Sequence, residues 1–372
     1  MNRPANALLK AAFFPLLLFS FGCSSSSNDI TQAPRQLSDD FFVTIAKVGK
    51  SLPGVAEFSP EKTSEKITGP IDERSNCEAA LTKAVCETSA STQEITTRYN
   101  SVTCSQKGAQ YVPALMQIYD EVPAKMRLSL CSLDRIFVSD GITSTAFASE
   151  VTDPTGTVTG GYIGMRKGTF LSQPASGQIA SWKEQLAFGG SSKFLSNDPK
   201  LVQINYNLKM STLKSDGLFY VLMHELGHLI DFNNNIDSEM GRPTDWSRLS
   251  WENSNSPLVD ATFFKRDDFC FYNCSSYLDA RDAKEIYASL AKSSFVTSYS
   301  SSNTYEDFAE FWAWHLMEQN KSPDYQITIP GEGTIDMNEV FKSNPKIKAK
   351  IEFIDQLWNR SDLKIDNRPG VQ

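Results

Sequence analysis

The chain is 372 residues long, 40% hydrophobic and 22% charged, with a formal net charge of −8. That length suffices for one large domain or two modest ones with a sizeable core. The acidic balance argues against nucleic acid or an anionic membrane surface as an electrostatic partner.

Arg3 and Lys10 precede an apolar run from Ala11 to Phe21, followed by Gly22-Cys23. A positive end, a short apolar core and a small residue at the cleavage point predict a secretory signal peptide over residues 1–22. The run is too short to span a bilayer as a helix. A cysteine directly after the small residue resembles a bacterial lipoprotein signal, which implies an exported chain held to a membrane through acylated Cys23. In such signals, the lack of Asp after the cysteine implies outer-membrane sorting. Losing Arg3 and Lys10 takes the 36 basic residues to 34 against 44 acidic, or −10.

Residues 23–70 are rich in Ser, Thr, Asp, Lys, Pro and Gly, which predicts a flexible tether with one apolar patch, Phe41-Phe42-Val43, able to dock on the body. After Cys23, six cysteines remain: Cys77, Cys86, Cys104, Cys131, Cys270 and Cys274. An even count in an exported chain predicts three disulfides. Cys77, Ala80, Leu81, Ala84 and Val85 recur at helical intervals and predict a helix over 71–90. On one helix, Cys77 and Cys86 face opposite ways, ~13 Å apart along the axis, and cannot pair. Each must reach Cys104 or Cys131, and the sequence does not choose between those two pairings. Further helices are expected from Pro113 to Asp120 and, past Pro123, from Ala124 to Leu130. Residues 71–132 thus read as a small disulfide-stapled helical module.

Arg135–Val138 predicts a strand, Thr152–Gly161 a turn-rich connection and Tyr162–Leu171 a second strand. Leu201–Leu208 alternates cleanly and predicts a third, after a loop marked by Gln173-Pro174 and Gly189-Gly190. Ser215 then stands as an N-cap for a helix through Val221–Ile230. That helix carries His224-Glu225-Leu-Gly-His228. Residues four apart share a helix face, so the two imidazoles are spaced to grip one Zn²⁺, and Glu225 follows the first ligand to the same side, where it can take a proton from water at the metal. Gly227 reads as a point of close packing, since it costs about 1 kcal/mol against Ala in a helix.

Beyond Ile230, Trp246 and Trp251 stand in a polar setting and read as small satellite cores under long loops. Cys270 and Cys274 predict a local disulfide, and Asp279–Lys292 a helix. A catalytic zinc needs a third protein ligand. Glu306 and Glu310 lie one turn apart on a strongly apolar helix, so one is suited to ligate while the other holds a histidine N–H. His315 falls on the opposite face from Glu306 and reads as a satisfied histidine away from the metal.

These residues resemble the zincins with a glutamate third ligand, and within them the catalytic domain of anthrax lethal factor and its relatives. The resemblance rests on His224-Glu-Leu-Gly-His-Leu-Ile-Asp231, Thr297-Ser-Tyr299 and Glu306-Asp-Phe-Ala-Glu310, continues into Ile347–Trp358, and covers about residues 130–360. It implies an α+β zincin-like metallopeptidase domain at 133–372, with a small mixed sheet, an active-site helix and a helical C-terminal half. It further implies one Zn²⁺ per chain held by His224, His228 and Glu306, with Glu225 as general base. Tyr299 would face the oxyanion and Glu310 would stand behind the ligands. The insert between Ile230 and Tyr299 departs from the family pattern, so the toxin's substrates do not carry over. The expected function is an exported zinc endopeptidase acting on a peptide or protein substrate. The alternatives are a zinc hydrolase of another amide, such as a cell-wall peptide, and a non-catalytic surface lipoprotein that uses the fold for binding.

Overall fold

The computed structural model describes residues 70–368, apart from 105, 154, 172–174, 191–201, 208–215, 240–241, 273 and 322–323. The expected signal peptide, Cys23, the tether up to residue 69 and the Ser215 cap lie outside the described residues. The described fold is α+β, with a mixed five-stranded sheet and a smaller antiparallel one. Among the described residues, no helix is long and apolar enough to cross a membrane.

Helix α1 (Arg74–Ala84) leads straight into β1 (Val85–Thr88), so the helix expected over 71–90 stops at Ala84. After α2 (Thr92–Arg98) comes β2 (Gln106–Lys107), antiparallel to β1, while β3 (Arg135–Ser139) runs parallel to it. Val85 packs into the main core and Cys86 into a second cluster on the other face. Both faces of β1 are covered, so apolar Val85 and Cys86 stand side by side, and Val85 continues the helical spacing of Cys77, Leu81 and Ala84. Besides their helices, residues 71–132 give the five-stranded sheet two strands, β1 and β2. Their remaining helices are α3 (Val112–Glu121) and α4 (Ala124–Cys131), separated at Pro123. Cys77 pairs with Cys131 and Cys86 with Cys104.

The five-stranded sheet has the order β2-β1-β3-β5-β4, in which β4 (Ala146–Thr152) is antiparallel to β5 (Val158–Arg166). The turn-rich connection expected over 152–161 shrinks to the turn between these strands. There Asp153 accepts the amides of Thr155 and Thr157, and Gly156 takes φ +83°. Residues 146–151 are all buried, so β4 shows no alternation to read. β5 ends at Arg166 and runs into α5 (Lys167–Leu171), cutting short the strand expected to reach Leu171.

The sequence predicts a loop for the next stretch, and the structure has helix α6 (Ser176–Ala187) there. Its buried polar side chains serve the edge of β6 (Gln203–Asn207): Ser181 Oγ bonds both the amide and the carbonyl of Ile204, and Gln185 Nε2 donates to the Val202 carbonyl. Helix α7 (Asp216–Asn234) is buried along most of its length and crosses β4 and β5. A Cβ on Gly161 would stand 2.8 Å from the Leu229 side chain, so the glycine lets the helix approach the sheet.

Two short ladders follow, β7 (Ser238–Glu239) with β8 (Arg242–Pro243) and β9 (Trp251–Asn253) with β10 (Ser256–Pro257). Trp246 and Trp251 are buried in the main core rather than in satellites of their own. Helix α8 (Ala283–Leu290) falls within its expected span. Helix α9 (Thr304–Lys321) packs along α7, after which β11 (Asp324–Ile329) joins β6 and β12 (Gly333–Asp336) in the second sheet. The last helices are α10 (Met337–Ser343) and α11 (Pro345–Asn359). Lys350 on α11 is fully buried, ion-paired at 2.6 Å with Asp307 on α9 and within 5.6 Å of the Trp246, Phe295 and Phe311 ring centres.

Candidate metal centre

His224 and His228 stand one turn apart on α7, and Glu306 lies on the first turns of α9, where Asn303 Oδ1 accepts the Glu306 amide at 2.9 Å. The helices meet at Gly227, where an added Cβ would stand 3.2 Å from Ala309 Cα and 3.2 Å from Trp312 Cδ1. The absence of a side chain there lets α9 come close enough for Glu306 to reach both histidines. Its Oε2 lies 3.2 Å from His224 Nε2 and 3.6 Å from His228 Nε2, and the two Nε2 atoms are 3.1 Å apart. One ligand atom from each residue lies within 4.8 Å of the others, and all three residues are buried.

Glu310, one turn further along α9, faces the back of His224, with Oε1 3.0 Å from Nδ1. Its Oε2 accepts from Tyr220 Oη at 2.5 Å and from Thr297 Oγ1 at 2.7 Å. A carboxylate at Nδ1 fixes the ring and its proton there and leaves the Nε2 lone pair to point at the metal position. Tyr220 is four residues before His224 on the same helix face, a spacing that could have exposed its role.

Burial opposes a charge on His224, yet its contacts with Glu306 and Glu310 push it up to about 10. Burial also works against ionising Glu306, but the two imidazoles hold it well below the usual carboxylate range. Glu306 is 0% exposed, and among the described residues its Oε1 finds no hydrogen-bond donor. A buried carboxylate short of donors is costly unless a cation lies beside it. Two imidazoles and a carboxylate converging on one point form a zinc donor set, so the residues fit that ion.

Glu225 is buried beside His224 on α7. The Tyr299 ring is buried with its centre 6.3 Å from that of His224. His315 stays away from this group, 3.2 Å from Asp355 Oδ1 and 2.8 Å from Gln319 Nε2. Cys270 and Cys274 are bonded to each other. Lys183, Glu184 and Phe271 also lie near the cluster, and the sequence carries no signal that singles them out. The first two sit on the helix read as loop, where nothing in their spacing marks them as inward-facing.

A family model described as "Putative zinc-binding metallo-peptidase" matches residues 209–367, which span both helices of the cluster. The match supports a zinc metallopeptidase. No curated protein and no solved structure matches the chain.

Proposed function

We propose that the chain is a zinc endopeptidase of the glutamate-ligand zincin type. The observation that carries this reading is the convergence of His224, His228 and Glu306, backed by Glu310 on His224 Nδ1. Zinc held by those three residues would polarise a peptide carbonyl and lower the pKa of water to roughly 7. Glu225 takes the proton of the attacking water on its carboxylate and hands it to the departing amine. Tyr299 donates its hydroxyl to the oxygen of the tetrahedral intermediate. Glu310 keeps the His224 ring turned toward the metal position.

Export, lipidation at Cys23 and outer-membrane placement belong to the same proposal and rest on the leader sequence. A peptide or protein is the substrate, reached from a membrane-anchored position without nucleic acid as a partner.

Zinc stoichiometry measured beside peptide cleavage tests the roles. Glu225→Gln should keep zinc and lose nearly all turnover, whereas Glu306→Ala should lose both. Glu310→Ala should weaken zinc binding by about 10–100-fold. Tyr299→Phe should keep zinc and lose on the order of 10²–10³ in kcat. Full zinc in Glu306→Ala together with loss in Glu310→Ala would reverse the two carboxylates.

A further inference from the structure

Tyr299 is gripped by two elements that supply no part of the metal cluster. From α6, Lys183 places its ammonium 3.5 Å from the centre of the Tyr299 ring. That is well inside the distance at which a ring face attracts a cation. Among the described residues Lys183 makes no ion pair within 4.0 Å; its charge lies over the Tyr299 ring and also acts on the buried carboxylate of Glu310. The Phe271 ring meets Tyr299 edge-on, with 5.1 Å between centres and 89° between planes. This is an arrangement favoured by the ring quadrupoles.

Phe271 is itself fixed. It is buried, stacks on Phe269 at 5.6 Å, and lies inside the short loop closed by Cys270–Cys274. Joining the ends of so short a segment removes most of its freedom to swing the side chain away. The loop thus presents a fixed aromatic edge to a ring whose other neighbours include His224 and Lys183.

We propose that Lys183 and the disulfide-closed loop bearing Phe271 are positioning devices for Tyr299, holding its phenol in place at the metal centre. The proposal rests on the role given to Tyr299 above. It gives the insert between Ile230 and Tyr299 a task at the site: a contact that a regular helix across 270–274 would not supply. Displacing a reacting group by ~1 Å can cost about 10²-fold in rate, so a loose phenol would be felt in turnover.

The test uses the full chain as wild type, Lys183→Met, Lys183→Arg, Phe271→Ala and the double variant Cys270→Ser/Cys274→Ser. Each is assayed for zinc stoichiometry, for kcat and KM on a peptide, and for nitration of individual tyrosines by tetranitromethane mapped by mass spectrometry. Fully buried Tyr287 serves as the reference for an intact fold. Zinc content should be unchanged throughout. Lys183→Met, Phe271→Ala and the cysteine variant should lose about 10–10²-fold in kcat with little change in KM. Tyr299 should be nitrated faster in them while Tyr287 is not. Lys183→Arg keeps a cation over the ring and should restore both readouts.

Unchanged nitration and unchanged kcat in Lys183→Met and Phe271→Ala would overturn the proposal. Should the cysteine variant misfold, seen as nitration of Tyr287, the Met and Arg variants of Lys183 decide alone. An impaired Tyr299→Phe beside fully active Lys183→Met and Phe271→Ala would leave the role of Tyr299 standing and remove its clamp. A fully active Tyr299→Phe would instead remove that role, and the clamp with it.

Discussion

Glu184 shows how much a single buried carboxyl can demand of its surroundings. It accepts the hydroxyls of Tyr287 and Ser298, yet burial outweighs both and pushes it from 4.5 up to about 7. The folded chain therefore keeps a proton there that the unfolded chain releases from pH 4.5 upward. Stability is full below 4.5 and falls as pH rises toward 7, by roughly 3 kcal/mol from this group. Glu184→Gln should flatten that slope. Thermal unfolding of both proteins between pH 4.5 and about 8 measures it, and identical slopes would absolve the carboxyl. In the sequence, Glu184 looks like one more polar residue of a polar stretch, because the groups that bury it come from residues 287 and 298. His224, Glu225 and His228 were legible for the opposite reason: one turn of helix carries their mutual geometry within five consecutive residues. Glu306 and Glu310 stand out by their apolar neighbours and by the family resemblance, and the distances to His224 Nε2 and Nδ1 are what the structure adds.

Between elements, the contact of α7 with α9 is the one the cluster depends on. Gly227 sacrifices about 1 kcal/mol of helix propensity, and Ala in its place would recover that. The new methyl would press on Ala309 Cα and on the Trp312 side chain, both 3.2 Å away. Backbone cannot yield as a flexible side chain can, and overpacking typically costs about 1–3 kcal/mol. Gly227→Ala should therefore destabilise by on the order of 1 kcal/mol net. It should also weaken zinc binding, because α9 carries Glu306. Denaturant unfolding and a zinc titration check the pair of effects, and a more stable variant with unchanged affinity would contradict it. The same packing explains which elements were readable. α7 and α9 announce themselves by apolar residues on every face, and the central residues of β6 by alternation. β1 and β4 are covered on both faces and lose that alternation, while α6 hides behind Ser181, Glu184 and Gln185, polar residues turned inward to serve other elements.

Across the whole molecule, the last described residues are bonded into the body through Asn367. Asn367 is fully buried; its Nδ2 donates to the Ser129 carbonyl at 2.9 Å, its amide to Ser132 Oγ at 2.8 Å, and its Oδ1 accepts from Asn233 at 3.1 Å. One side chain thus joins the tail to α4 and α7. Asn367→Ala removes the side-chain bonds to Ser129 and Asn233 but keeps the amide bond to Ser132, and a buried group that loses its partner costs about 1–3 kcal/mol. A fall in stability on the order of 3 kcal/mol is expected by denaturant unfolding, and a shift within error would mean water replaces the side chain. No spacing in the sequence ties residue 367 to 129, so this link was invisible before the structure.

The metal cluster draws its atoms from two helices that meet only in the folded chain, which makes folding itself subject to mass action. An unfolded chain separates His224 and His228 from Glu306 and forfeits the proposed three-ligand site, so zinc bound there would pull the equilibrium toward the native state. At a free concentration of about 100 times Kd, that pull amounts to roughly 2.7 kcal/mol. A strong chelator should then behave as a denaturant, lowering Tm of the wild type while leaving that of Glu306→Ala unmoved. Scanning calorimetry with and without the chelator reads this directly, and equal shifts in both proteins would detach the metal from the stability of the fold.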